Sequence, residues 1–292
     1  MNNCKICGDL DYETIYNGKI RAGTHLVMTS EVFDVTQCKE CKLAGLSPIP
    51  KINYSSSEYR ELYNNTSEVK DFILNHDHEQ TPRISKIGIE NFRDKVVVDM
   101  GCGGGTFLDA ISGVAQKTIG IEPYVGYHSS LSQRGHEVYS STQESLHKFE
   151  KCADVIISFG VIEHIENPLE YLNDAYSLLK KGGIIYLETD NLDDFLMKMN
   201  IPEFEQFFYR TAHIWYFERN SLRRIMEIAG FEKISEGFRH GLDLSNAFMW
   251  MKDRVPTGTG KVKNICSFSN DAWRRHLEES GQAELLHFSA VK

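Results

Sequence analysis

Residues 95–105 read K-V-V-V-D-M-G-C-G-G-G, and this stretch restricts the chain more than any other. A β-branched run without polar alternation suits a strand buried on both faces, as in a parallel sheet. Gly101, Gly103, Gly104 and Gly105 follow, and a backbone without Cβ can take positive φ and pass close to a ligand. The next segment, T-F-L-D-A-I-S at 106–112, reads as the first turns of a helix. Its unpaired N–H groups would face whatever the turn holds. No Lys-Ser/Thr follows the glycines, which argues against a P-loop, and D-M-G-C-G-G-G lacks the dinucleotide spacing G-x-G-x-x-G.

The second strand is K-T-I-G-I-E-P at 117–123, and Glu122 at its end is placed to accept hydrogen bonds from ribose hydroxyls. Asp99, Gly101, Gly103 and Glu122 together resemble the cofactor motifs of class I S-adenosylmethionine-dependent methyltransferases. The resemblance assigns cofactor binding to these four and to the neighbouring Cys102 and Pro123. It extends through A-D-V-I-I-S-F-G-V-I-E-H-I-E-N-P at 153–168, similar to the fourth strand and its loop. L-L-K-K-G-G-I-I-Y-L-E-T at 178–189 resembles a helix end, glycine turn and fifth strand, and A-G-F-E-K-I at 229–234 the start of the sixth. The match covers roughly residues 85–252. It implies an α/β fold with a Rossmann-like, doubly wound, seven-stranded sheet. The implied reaction is an S_N2 methyl transfer driven mostly by positioning, with a base where the acceptor is a hydroxyl.

The same resemblance distributes further roles. Phe159 and Gly160 would line the methionine part of the cofactor. S-T-Q-E-S-L at 141–146 falls where adenine is held, with Gln143 as candidate and Glu144 as its alternative, although a plain helix cap reads the same way. Tyr59 and Tyr63 lie four apart on one face of a helix expected at 55–65; they either pack or belong to a segment that lids the cofactor. Two histidines compete as general base. His164 stands in the E-H pair after the fourth strand, and His213 in a T-A-H step inside the most aromatic stretch, 204–217. An imidazole suits proton removal at neutral pH, whereas a structural E-H pair or a histidine packed beside tryptophan would need no such role. The acids of T-D-N-L-D-D at 189–194 do not match the magnesium set of catechol-type methyltransferases, which begins after the fourth strand.

Four of the seven cysteines form two C-x-x-C pairs, Cys4/Cys7 and Cys38/Cys41. Each pair can place two thiolates on one turn, and two turns supply the tetrahedral S₄ set of a structural zinc, with no open position for chemistry. Strand-like pieces at 12–16 and 32–37 fit a zinc ribbon, against the reading of two unrelated cysteine pairs. The domains expected are a zinc ribbon at 1–50, a helical linker or cofactor lid at 51–92, the methyltransferase domain at 93–252 and an extension at 253–292. Helices are predicted at 81–92, 220–229 and 270–279. An antiparallel pair, 231–238 with 246–251, is expected to close the sheet, followed by a loop holding Gly258 and Gly260 and a strand-like L-L-H-F-S-A-V.

A formal charge of −9 gives no electrostatic reason to bind a polyanion, so nucleic acid is not the expected partner. No run approaches the ~20 apolar residues of a membrane helix, and M-N-N-C-K-I-C is not the start of a signal peptide, so a cytoplasmic location is expected. Oligomeric state leaves no mark in the sequence. An amino-terminal cysteine ribbon on this fold resembles methyltransferases of bacterial sugar, capsule and secondary-metabolite pathways. That implies a small, sugar-like acceptor; the deoxysugar C-methyltransferases of this group are longer, with a further carboxy-terminal domain that this sequence largely lacks, and that departure favours methylation on oxygen. A sugar C-methyltransferase, a ribosomal RNA methyltransferase with a zinc-ribbon reader and a non-enzymatic interaction protein are the competing readings. Intact Asp99, glycines and Glu122 speak against the last.

Overall fold

Val97 and Val98 are almost wholly buried, as a strand covered on both faces requires, and they sit in the middle of a parallel sheet. A computed structural model describes residues 3–24, 27–64, 66–256, 262 and 265–292; Gly258 and Gly260 lie outside the described residues. In chain order the strands are β1 (Tyr12–Gly18), β2 (Phe33–Cys38), β3 (Ala44–Ser47), β4 (Val96–Met100), β5 (Lys117–Ile121), β6 (Glu137–Tyr139), β7 (Ala153–Phe159), β8 (Leu179–Asp190), β9 (Trp215–Tyr216), β10 (Glu232–Ser235), β11 (Phe238–Arg239) and β12 (Leu285–Val291). The α-helices are α1 (Ser57–Asn64), α2 (Val69–His76), α3 (Gln80–Ile87), α4 (Thr106–Ile111), α5 (His128–Gln133), α6 (Thr142–Phe149), α7 (Pro168–Leu178), α8 (Phe195–Lys198), α9 (Pro202–Phe208), α10 (Arg219–Ile228), α11 (Leu244–Asp253) and α12 (Ser267–Ser280).

The main sheet runs β6-β5-β4-β7-β8-β12-β10. β4 pairs in parallel with β5 and β7, and the parallel pairing continues to β6 on one side and β8 on the other. β12 runs antiparallel to β10, and also to β11. This is the doubly wound α/β order the sequence implies, and it reverses direction between β4 and β7, where such sheets bind ligands. One face carries Phe92, Val97, Phe107, Ile111, Val155 and Ile157; another apolar cluster joins Cys102, Leu108, Tyr127 and Leu131. The glycines at 182–183, expected in a turn before the fifth strand, lie inside β8. The register slips there, from Ala153 opposite Leu179 to Val155 opposite Ile184, and Gly182 takes φ +79.

Two expectations need correction. Residues 246–251 are helical, in α11, whose N-cap Asp243 accepts a hydrogen bond from Asn246 N–H. The partner that closes the sheet is instead β12, so the last residues of the chain are part of the main sheet and not an appendage.

Contacts divide the chain into two compact units that cut across the borders drawn from sequence. One holds 1–50, 189–224 and 236–288; the other holds 51–188, 225–235 and 289–292. In the first unit β1, β2 and β3 form an antiparallel meander, and β9 adds to its edge by pairing with β3. Tyr209 and Tyr216 from the aromatic stretch join Ile20, Val35, Ala44 and Leu46 in one core. The aromatic residues therefore do largely what a hydrophobic cap does, packing on the cysteine module. Among the described residues no helix is long and apolar enough to cross a membrane.

The β3–β9 contact depends on Gly45. A Cβ there would lie 2.6 Å from the ring of Trp215 and 3.1 Å from the Ile214 carbonyl oxygen. Gly45→Ala is expected to cost about 1–3 kcal/mol, the usual penalty of overpacking. Urea denaturation compared with a surface Gly→Ala control, such as Gly113→Ala, checks this; Gly113 has nothing within 4 Å of its would-be Cβ.

Candidate functional site

The site grows from the carboxyl ends of the parallel strands in the second unit. β4 ends in Asp99 and Met100, and the chain then turns through Gly101, Gly103 and Gly105 at φ +86, +52 and +84. Three left-handed positions in five residues explain the glycines, since an L side chain is strained there. The surroundings are tight as well. A Cβ on Gly101 would collide with the methyl groups of Val161, and one on Gly103 with the ring of Phe72, which also approaches Gly104. Gly105 is the N-cap of α4, whose first-turn amides follow directly.

Glu122 follows β5 and is 1% exposed. Its Oε2 accepts from Gly103 N–H at 3.0 Å, and its Oε1 accepts from Tyr124 N–H at 2.8 Å and Arg60 Nη2 at 2.7 Å. The acid therefore ties the glycine turn after β4 to the end of β5. Pro123 is half-buried between Glu122 and Tyr124, and the buried Cys102 thiol sits where a Cβ on Gly120 would lie 2.6 Å from its sulfur.

A second charged group lies at the ends of β4, β7 and β8. Arg83 of α3 donates from Nε to Glu188 Oε2 at 3.1 Å, pairs with Glu79 at 2.8 Å and stands 4.8 Å from the centroid of the Phe159 ring. Gly160, at φ +67, donates its N–H to the Glu188 carbonyl oxygen at 2.9 Å. Burial pushes the Asp99 carboxyl up to about 7; the Arg83 charge opposes this and that of Glu122 adds to it. Phe159, Gly160 and Asp99 are thus brought together with an arginine that sequence reasoning missed. A lone arginine on a helix before the domain has no local pattern to mark it.

His164 ends a short turn, 162–164, after β7. Tyr54 OH lies 3.3 Å from its Nδ1, and the rings of Tyr54 and Tyr59 pack edge-on against it, with centroids 5.3 and 6.4 Å away. Tyr59 therefore meets the E-H loop. The side chain of Tyr63 lies outside the described residues. Gln143 and Glu144 form no part of this group: Ser141 Oγ accepts from Glu144 N–H, Glu144 Oε2 accepts from Ser140 N–H, and Gln143 Nε2 donates to Asp174. The bonds of Ser141 and Glu144 cap the start of α6.

In the first unit, His213 Nδ1 lies 2.7 Å from Asp190 Oδ2, and Arg210 Nη2 reaches the same oxygen at 3.3 Å. Burial, reinforced by Arg210, pushes the His213 imidazole down to about 4 against the pull of Asp190. The carboxyl of Asp190 is held well below its usual range: burial would raise it, but His213 and Arg210 outweigh that. The four cysteines also converge in this unit. Cys4 Sγ is 3.4 Å from Cys41 Sγ, Cys7 Sγ is 3.5 Å from Cys38 Sγ, and all four lie within 4.8 Å of one another. Four thiolates at zinc–sulfur bonds of about 2.3 Å would sit about 3.8 Å apart, so the set fits that ion.

Residues 75–236 match the family described as a methyltransferase domain, more than half of the chain. Among curated relatives, the ubiquinone biosynthesis O-methyltransferase of Dinoroseobacter shibae is 26% identical over 156 residues, 50% of this chain and 63% of that one. The mitochondrial enzyme of the same name from Rattus norvegicus is 26% identical over 149 residues, 46% of this chain and 43% of that one. The matched part thus spans less than two thirds of the length of either relative. Two solved structures share the fold. A SAM-dependent methyltransferase of Thermotoga maritima has TM-score 0.52 and 20% identity, over 76% of this chain and 93% of that one. Another from Archaeoglobus fulgidus has TM-score 0.52 and 19% identity, over 76% and 99%.

Gly101→Ala tests the turn. The left-handed φ and the Val161 collision together should cost about 1–3 kcal/mol of stability and weaken whatever ligand the turn holds. A variant as stable as the unmutated protein in urea would show that the turn tolerates a side chain.

Proposed function

Because the chain belongs to the class I S-adenosylmethionine-dependent methyltransferases, we propose that it methylates a hydroxyl group of a small-molecule acceptor. The single observation that carries this is Glu122, a buried acid bonded to the glycine turn. Glu122 and the turn would hold the adenosine part of the cofactor. Arg83, with Asp99 and Glu188 beside it, matches a zwitterion: the guanidinium suits the methionine carboxylate and the acids suit its ammonium. When bound, S-adenosylmethionine supplies a methyl group activated by its sulfonium charge.

Two readings of the acceptor can be weighed. The curated relatives are named for ubiquinone biosynthesis, and none of those compared above is named for a sugar. A hydroxylated ring is therefore the first acceptor to assay, and the sugar-like acceptor expected from the cysteine module the second. Both are small hydroxyl compounds, and both call for a base. His164 is the better base, since it is partly exposed on the loop after β7 in the unit that holds Glu122, whereas burial has taken most of the basicity from His213. Tyr54 and Tyr59 would fix the ring of His164. Zinc on Cys4, Cys7, Cys38 and Cys41 would staple the cysteine module, with every position filled by sulfur and no part in the transfer.

Calorimetry with S-adenosylhomocysteine should show binding that Glu122→Gln weakens roughly ten- to a hundredfold, the worth of charge-assisted hydrogen bonds. Equal affinity in a folded variant would refute the ribose assignment. His164→Gln should lower kcat by about 10²–10⁴ with cofactor affinity within a few fold, and His213→Gln should act mainly on stability. The pH profile separates the two. A base is active when deprotonated, so if His213 were the base, kcat/KM would fall only as pH drops through about 4. Elemental analysis should find one zinc per chain, and little in Cys38→Ser.

A further inference from the structure

Resting on the reading that Glu122 holds the ribose of S-adenosylmethionine, we infer that Arg60 is an internal competitor for that acid, and that helix α1 must release Glu122 for the cofactor to be held. A carboxylate offers about four lone-pair positions. In Glu122 three are taken, by the amides of Gly103 and Tyr124 and by Arg60 Nη2. The two amides belong to the turns at the ends of β4 and β5. Arg60 alone arrives from outside the sheet. Two ribose hydroxyls need two positions, and with Arg60 in place one remains, on a side chain only 2% exposed.

The helix that brings Arg60 is suited to letting go. It is eight residues long, too short to be stable by itself in water. Ser57, Glu58, Glu61 and Leu62 are exposed, while Tyr59 and Arg60 are half-buried, so those two side chains anchor its described part. The Arg60 guanidinium lies 5.3, 5.9 and 5.2 Å from the ring centroids of Tyr59, Tyr124 and Tyr127. These rings steady the cation at about the distance where cation–π attraction is still felt. Exchanging Arg60 for ribose hydroxyls would leave the buried carboxylate hydrogen-bonded before and after, avoiding the penalty of an unpaired acid. Cofactor affinity is then a difference between two sets of bonds to one acid. Weakening the internal set must tighten the external one.

Arg60→Met keeps an apolar stem against the tyrosines and removes the guanidinium. In calorimetry with S-adenosylhomocysteine it should bind about tenfold more tightly than the unmutated protein, the worth of one charged hydrogen bond, with Arg60→Lys in between. Unchanged or weaker binding by Arg60→Met, alongside weakened binding by Glu122→Gln, overturns the competition and leaves the ribose reading intact. Unchanged binding by Glu122→Gln overturns both. A crystal structure of the unmutated chain with S-adenosylhomocysteine decides the matter without any variant. Arg60 should have left Glu122, with ribose oxygens in its place; an Arg60 still within hydrogen-bond distance of Glu122 beside a bound ribose would overturn the inference.

Discussion

A carboxylate taken out of water must be hydrogen-bonded where it stands, and Glu122 stands at the end of a parallel strand with almost no solvent contact. Its partners come from the turn after β4, from its own turn and from a helix before the sheet. That requirement accounts for much of the local structure. The Gly103 amide can point at Glu122 because the residue is left-handed, and it can be left-handed because it is glycine. β4 and β5 are adjacent and in register, Asp99 beside Gly120, so the turn from one strand overhangs the acid at the end of the other. The sheet order thus fixes where the glycine turn meets the acid, at the carboxyl ends of the strands where such sheets bind ligands.

The parts legible in the sequence are those whose physics is local. A β-branched run, a glycine cluster and an acid two strands' ends apart are each readable within a few residues, and β4, β5, β6, β7 and the turn follow from them. The two C-x-x-C pairs are legible for the same reason. What was misread is ambiguous locally or depends on distant partners. N-A-F-M-W-M at 246–251 is a short apolar run that serves a helix or a strand equally well, and the cap at Asp243 decides for the helix. L-L-H-F-S-A-V looks like a strand, but only the free edge left beside β8 shows where it goes. Trp215 and Tyr216 form a strand because β3, some 170 residues earlier, offers an edge with a glycine at the contact. Arg60 and Arg83 carry no signal at all as letters: their importance comes from the acids they meet.

Two acids illustrate how the same residue type is driven in opposite directions. Asp99 is buried and feels the charge of Glu122, and the cation that acts on it, Arg83, is shared with Glu188 and Glu79. Burial wins, and the carboxyl holds its proton toward neutral pH. Asp190 has Arg210 and His213 on one oxygen, and the charges win. An acid that titrates near neutrality can serve an ammonium group only by giving up its proton as that group arrives, so binding at Asp99 would be coupled to proton release.

His213 shows why an acid beside a histidine does not by itself make a base. A carboxylate at 2.7 Å should raise an imidazole's affinity for protons, and in a hydrated site it would. Here the ring is 3% exposed, and Arg210 spends its charge on the same carboxylate oxygen. Protonating His213 would place a second cation, desolvated, in a cluster where Arg210 already pairs with the one acid, so the proton is refused down to about pH 4. A group that weakly basic is always free to accept a proton at neutral pH but gains little by doing so, because proton transfer to it is uphill. The pairing of Asp190, Arg210 and His213 is better suited to holding the segment after β8 in place, since both partners from 210–213 converge on one oxygen of Asp190. Of the two histidines, only His164 keeps a partly exposed imidazole, on the turn that follows β7.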